Sequence, residues 1–60
     1  MQKNNMEEQI LLVAKELFMQ YGYEGVSTTQ VAKAVGCNQA LVHYYYRTKQ
    51  NLFKIICQQE

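Results

Sequence analysis

The stretch that decides the fold is STTQVAKAVGCNQALVHYYYRTK, residues 27–49. Ser27 carries the oxygen an N-cap needs, and Gln30 stands three residues on, where a capping box places Glu or Gln. The spacing predicts a helix from Thr28 to Val35. Val31, Ala32 and Val35 turn inward, Thr28 lies at the edge of that face, and Thr29, Gln30 and Lys33 turn out. Gly36 is the natural stop, because glycine takes the left-handed conformation without a Cβ penalty. Asn38 then caps a helix over about Gln39 to Tyr45, and Thr48 caps another that opens at Lys49. Two short helices across a glycine turn have the layout of a helix-turn-helix, whose second helix lies in the major groove of DNA.

That second helix divides into two arcs. Val42, Tyr45 and Tyr46 share one and are assigned to the core. Ala40, Leu41, His43 and Tyr44 share the other, with Gln39 at the border in the first turn.

Working outward, a first helix is predicted from Met6 to Tyr21, with Asn5 as its cap and Glu8 completing an Asn-x-x-Glu box. Met6, Ile10, Val13, Ala14, Leu17, Phe18 and Tyr21 recur at helical spacing and form its apolar face. Residues 1–5 are polar apart from Met1 and are expected to fray. Gly22 ends this helix, and Gly25 adds a second flexible point to the connection. In the last helix Leu52, Phe53 and Ile56 make a core stripe, which Ile55 and Cys57 widen beyond one face. No C-cap precedes Glu60. A wide apolar arc without a stop is expected to have more protein to pack against, so the chain reads as an N-terminal piece of a longer protein.

Sixty residues make one domain at most, and a chain this short buries only about 60% of its unfolded surface. The absence of proline and the presence of only three glycines favour helices. No apolar run approaches a membrane span or a signal peptide, which leads to the expectation of a cytoplasmic protein with no membrane partner. Cys37 and Cys57 have no metal-ligand spacing, and there is a single histidine. Both cysteines are read as small packing residues, and neither a metal nor a cofactor is expected. The net charge of +1 is weak for a nucleic-acid binder, but it is unevenly spread. Residues 1–32 carry two lysines against four glutamates, whereas residues 33–60 carry four cations against one glutamate.

The candidate DNA contacts follow from this layout. Gln39 can pair with an adenine edge or make a single hydrogen bond to another base, small Ala40 allows close approach, and Leu41 can touch a thymine methyl. His43 and Tyr44 sit where phosphate contacts set register. Lys49 opposes the dipole of its own helix at a cost of about 0.3–1 kcal/mol, and a phosphate at that N-terminus would reverse the sign. The start of the preceding helix offers a second such end at Thr28 and Thr29, the latter the better contact because Ser27 is occupied as a cap.

With these residues in hand, the chain resembles the N-terminal domain of the TetR/AcrR family of bacterial transcriptional regulators. The resemblance is carried by Ala14-x-x-Leu17-Phe18-x-x-Tyr21-Gly22-Tyr23, by Ser27-Thr28-x-x-Val31-Ala32-x-x-Val35-Gly36-Cys37-Asn38, and by Val42-His43-Tyr44-Tyr45-Tyr46-Arg47-Thr48-Lys49-x-x-Leu52-Phe53. It implies an all-α fold: a three-helix, homeodomain-like helix-turn-helix domain over residues 6–48, and over 49–60 the start of a fourth helix connecting to a C-terminal domain. That further domain would dimerise and bind a small-molecule inducer. The resemblance implies double-stranded DNA with an inverted-repeat operator as partner, contacted by Thr28, Thr29, Gln39, Ala40, Leu41, His43, Tyr44 and Lys49. Where this chain has His43 and Tyr46, the family most often has tyrosine and phenylalanine.

Two other readings compete. A helical module could dock a protein partner through Leu41 and Tyr44. A helix-turn-helix arm could belong to a DNA enzyme, although these residues include no paired carboxylates, no nucleophile with a base and no glycine-rich phosphate loop. The chain itself reads as no enzyme.

Overall fold

A computed structural model describes residues 6–58. The described residues form four helices and no strand: α1 Met6–Tyr21, α2 Thr28–Val35, α3 Gln39–Tyr46 and α4 Lys49–Gln58. The Asn5 cap and the fraying of residues 1–5 lie outside the described residues.

Local chemistry sets the boundaries of α2 and α3. The Ser27 hydroxyl accepts from the Gln30 N–H at 3.2 Å, and the Gln30 amide oxygen accepts from the Ser27 N–H at 2.9 Å. This closes the capping box and satisfies two donors that the helix start leaves open. At the other end Gly36 has φ 96°, and the N–H groups of Gly36 and Cys37 both reach the Ala32 carbonyl, at 2.8 and 2.9 Å. The Asn38 side chain caps α3 by accepting from the Leu41 N–H at 3.1 Å. The Thr48 hydroxyl does the same for α4 through the Asn51 N–H at 3.0 Å.

The helices enclose one core of Ile10, Ala14, Phe18, Val26, Val31, Ala32, Val42, Tyr46, Leu52 and Ile56. α1 lies against α2, α3 and α4, and α2 lies against α3. Leu52 is fully buried, so α4 belongs to the same core as the first three helices. Full burial of a side chain such as Ile10, Val31 or Leu52 contributes roughly 1.5–3 kcal/mol.

Four placements differ from expectation. Tyr21, assigned to the α1 face, is 59% exposed. The chain turns back at Gly22, and half-buried Tyr23 packs against the core instead, stacked on Phe18 at 5.9 Å and edge-on to Phe53 at 4.9 Å between centroids. Tyr45 is 36% exposed and set edge-on to Tyr44 at 5.1 Å, because Val42 and Tyr46 already occupy the inward arc of α3. Leu41 is half-buried rather than exposed. Cys57 is exposed at the edge of the shallow α1–α4 groove, while Cys37 is half-buried.

Gly25 is needed for close approach. A Cβ there would meet the Tyr21 carbonyl oxygen at 2.5 Å. The loop backbone therefore passes directly beneath the end of α1, a packing constraint where the sequence indicated only flexibility.

Tyr46 is buried, and its hydroxyl donates to the Glu7 carbonyl in the first turn of α1 at 2.8 Å. This is the partner that a buried phenol requires. The phenol pKa is pushed up to about 12, first by burial and then by the charges of Glu7 and Glu8.

Candidate nucleic-acid interface

The outer face of α3 carries Gln39, Ala40, His43 and Tyr44, all exposed, and Tyr44 is 76% exposed. Thr29 is exposed in the first turn of α2. Leu41 is at the margin of the face. Three polar side chains at this surface, those of Thr28, Gln39 and His43, are already linked to one another.

The Gln39 amide nitrogen donates to the Thr28 hydroxyl oxygen at 2.8 Å. The same oxygen lies 3.1 Å from His43 Nε2, and His43 Nδ1 lies 2.7 Å from the Arg47 carbonyl oxygen. A carbonyl can only accept, so Nδ1 carries a proton. Thr28, Gln39 and His43 therefore act as a connected group, and the Thr28 side chain is buried beneath α3. The sequence placed Thr28 as a phosphate-facing residue. In the fold its hydroxyl points across to α3, because α2 packs against α3 along the edge where Thr28 stands.

Arg47 links this group to α4. Its φ of 74° and ψ of −63° are those of a γ-turn, a strained conformation for a residue with a side chain. The Thr48 N–H returns to the Tyr46 carbonyl at 2.8 Å, closing that turn. The Asn51 side-chain amide donates to the same carbonyl at 2.7 Å, and the Arg47 N–H donates to the His43 carbonyl at 2.9 Å. With His43 on the Arg47 carbonyl, these contacts hold the strained residue from several sides. Sequence rules for positive φ look for glycine or asparagine, so Arg47 gave no signal.

Lys49 is half-buried. Its ammonium donates to the Tyr23 and Val26 carbonyls, each at 2.8 Å, and lies 4.2 Å from the Tyr23 ring centroid. The sequence argument invoked an external anion to offset the unfavourable end of the helix dipole. Two carbonyls of the α1–α2 connection and an aromatic face supply that compensation internally. Tyr23 was thus missed twice, as a residue packed against the core and as a partner of Lys49. The Tyr21-Gly22-Tyr23 run was its only local signal.

A glycine-turned pair of short helices, the second exposing an amide, an imidazole and a phenol, defines a helix-turn-helix domain of the DNA-binding transcription-regulator class. The chain belongs to the tetR family of bacterial regulatory proteins, whose family model matches residues 10–56. Proteins of this class are regulators and not enzymes. Over 49 residues, 82% of this chain and 26% of the relative, it is 39% identical to the HTH-type transcriptional regulator QacR of Staphylococcus aureus. Over 56 residues, 93% of this chain and 30% of the relative, it is 27% identical to the HTH-type transcriptional repressor AcnR of Corynebacterium glutamicum. The chain thus spans less than a third of the length of either relative. No solved structure matches it significantly. Among the described residues no helix is long and apolar enough to cross a membrane, and no cluster of His, Cys, Asp or Glu could hold a metal.

Proposed function

We propose that these residues are the operator-reading part of a cytoplasmic, dimeric transcriptional repressor. A further domain following α4 would join two copies and bind a small-molecule inducer. The observation that carries the reading is the division of α3: Val42 and Tyr46 are buried, while Gln39, Ala40, His43 and Tyr44 stay exposed beside the start of α2.

In this arrangement α3 enters the major groove. Gln39 reads a base edge, Ala40 lets the helix N-terminus approach, and Leu41 touches a thymine methyl from the margin. Tyr44 and Thr29 reach phosphates and set register. Thr28 and His43 belong to the same face, Thr28 through its bond to Gln39 and His43 through its bond to Thr28. Lys49 uses two of its three N–H groups inside the chain, leaving the third for a phosphate. Two copies would read half-sites about 34–36 Å apart, or a multiple of that distance, in an inverted repeat.

Selection from random duplex DNA with the full-length protein tests the proposal. Enrichment of an inverted repeat is the expected result. Recovery without sequence preference would remove the operator reading, and no recovery at low salt would favour protein docking through Leu41 and Tyr44.

A further inference from the structure

The bonds among Gln39, Thr28, His43 and Arg47 run in one direction only. The series ends at the Arg47 carbonyl, which accepts a hydrogen bond from His43 Nδ1–H at 2.7 Å. A neutral imidazole protonated at Nδ1 has a bare Nε2, which accepts. The Thr28 hydroxyl, 3.1 Å from that nitrogen, donates its one O–H to it. Only lone pairs then remain on the Thr28 oxygen. The group of Gln39 that meets it at 2.8 Å must be the donor end of the amide, and the carbonyl end is turned away.

We propose that Thr28 and His43 are positioning residues that fix which way the Gln39 amide faces, and so determine which base Gln39 takes. This rests on the proposal above that α3 reads DNA. The Gln39 amide nitrogen also lies 3.5 Å from His43 Nε2, so the N–H turned toward Thr28 is shared with that weaker acceptor, and the amide shows the groove its carbonyl oxygen and its other N–H. That pair matches adenine, which offers an N6–H donor and an N7 acceptor. It does not match guanine, whose N7 and O6 both accept. A flipped amide would set its oxygen against a Thr28 oxygen that has no proton left to give. The strained turn at Arg47 has a place in this scheme, because it fixes the carbonyl that sets the direction of every bond leading to it.

The test uses the full-length protein and operators substituted one base pair at a time. Gln39→Ala first identifies the base pair that Gln39 reads. Thr28→Val, which keeps the shape and removes the hydroxyl, is expected to lower discrimination at that same pair on the order of tenfold. Thr28→Ser, which restores the hydroxyl, is expected to keep it. Thr28→Val in the Gln39→Ala background is expected to change nothing further there. If Gln39→Ala erases one preference while Thr28→Val leaves it intact, the positioning role is overturned and DNA reading by Gln39 stands. If Gln39→Ala erases no preference in a protein that still selects its operator, Gln39 reads nothing and the proposal falls with it.

A second measurement does not depend on DNA. Nitrogen NMR of His43 at about pH 8, where a free imidazole is neutral, is expected to show Nδ1 protonated and Nε2 bare. The Nε2 resonance is expected to move in Thr28→Val. A ring protonated at Nε2 overturns the relay.

Discussion

Replacing Lys49 by methionine decides between two accounts of why a lysine opens α4. Methionine keeps an unbranched stem and nearly the same helix propensity, so the substitution removes little besides the ammonium. If Lys49 were only a cation tolerated at the wrong end of a helix dipole, its loss would stabilise the fold by about 0.3–1 kcal/mol. The geometry requires the opposite sign. Two charge-assisted bonds to the Tyr23 and Val26 carbonyls are lost. At a half-buried position each contributes about 1 kcal/mol, below the usual 1.5–3 for hydrogen bonds to charged groups. The contact with the Tyr23 ring adds about 0.5–1 kcal/mol. Subtracting the relieved dipole penalty leaves a net loss of about 2 kcal/mol. A chain of this length has about 3–9 kcal/mol in total. Urea unfolding followed by helical circular dichroism measures the change, with Lys54→Met as a control that removes one charge from an exposed site on the same helix. The control is expected to stay within about 0.5 kcal/mol. An Lys49→Met midpoint equal to or above the parent's would refute the internal-partner account. The free-protein loss is separate from DNA binding, where the expected signature is a salt slope lower by about one on every sequence.

Three further substitutions examine the fold around the site. Tyr46→Phe removes the bond to the Glu7 carbonyl and is expected to cost about 1 kcal/mol near neutral pH in the same unfolding assay. Because the native phenol pKa is raised to about 12 from an ordinary value near 10, the native state holds the proton longer than the unfolded chain. The Tyr46 contribution is therefore complete below about pH 10 and falls away as the pH rises toward 12. Unfolding midpoints of parent and Tyr46→Phe are expected to converge across that window, and a constant gap would refute it. Gly25→Ala forces a Cβ to within 2.5 Å of the Tyr21 carbonyl oxygen and is expected to cost about 1–3 kcal/mol, read by thermal unfolding. Arg47→Gly relieves the positive φ and is expected to raise stability by up to about 1 kcal/mol despite the added freedom of the unfolded chain, whereas a typical glycine substitution lowers it.

What the sequence made legible is the part that local chemistry decides. Ser27 with Gln30, Gly36, Asn38 and Thr48 are caps and stops whose partners lie within four or five residues, and each of them works as its residue type implies. The core positions of α2 and α4 follow from period alone. What was hidden depends on contacts between distant residues. Lys49 meets carbonyls 23 and 26 residues away, and Thr28 meets His43 across 15 residues, so neither pairing has a local signal. The exchange of Tyr21 for Tyr23 against the core depends on how Gly22 and Gly25 fold the connection back, a matter of loop path rather than helical period. Arg47 defied the rule for positive φ because four hydrogen bonds around it outweigh its intrinsic preference.

The same economy governs how any functional experiment on this surface must be interpreted. In so small a domain the proposed reading face and the scaffold share residues: Thr28 is both buried support and partner of Gln39, and Lys49 both pins the α1–α2 connection and is proposed to reach a phosphate. Loss of DNA binding after changing either residue does not by itself identify a contact, since a domain weakened by about 2 kcal/mol presents fewer folded copies near its melting point. Exposed Thr29 is free of that ambiguity, and exposed Tyr44 nearly so, since its ring meets the exposed Tyr45 edge-on rather than the core. Their loss is expected to weaken binding on all sequences alike while leaving the unfolding midpoint within about 0.5 kcal/mol of the parent. Position-specific loss with unchanged stability isolates Gln39 as a reader. Position-specific loss at the Gln39 base pair that Ser at position 28 rescues and Val does not isolates the hydroxyl behind it. Stability and sequence preference, measured on the same variants, separate holding the helix from reading with it.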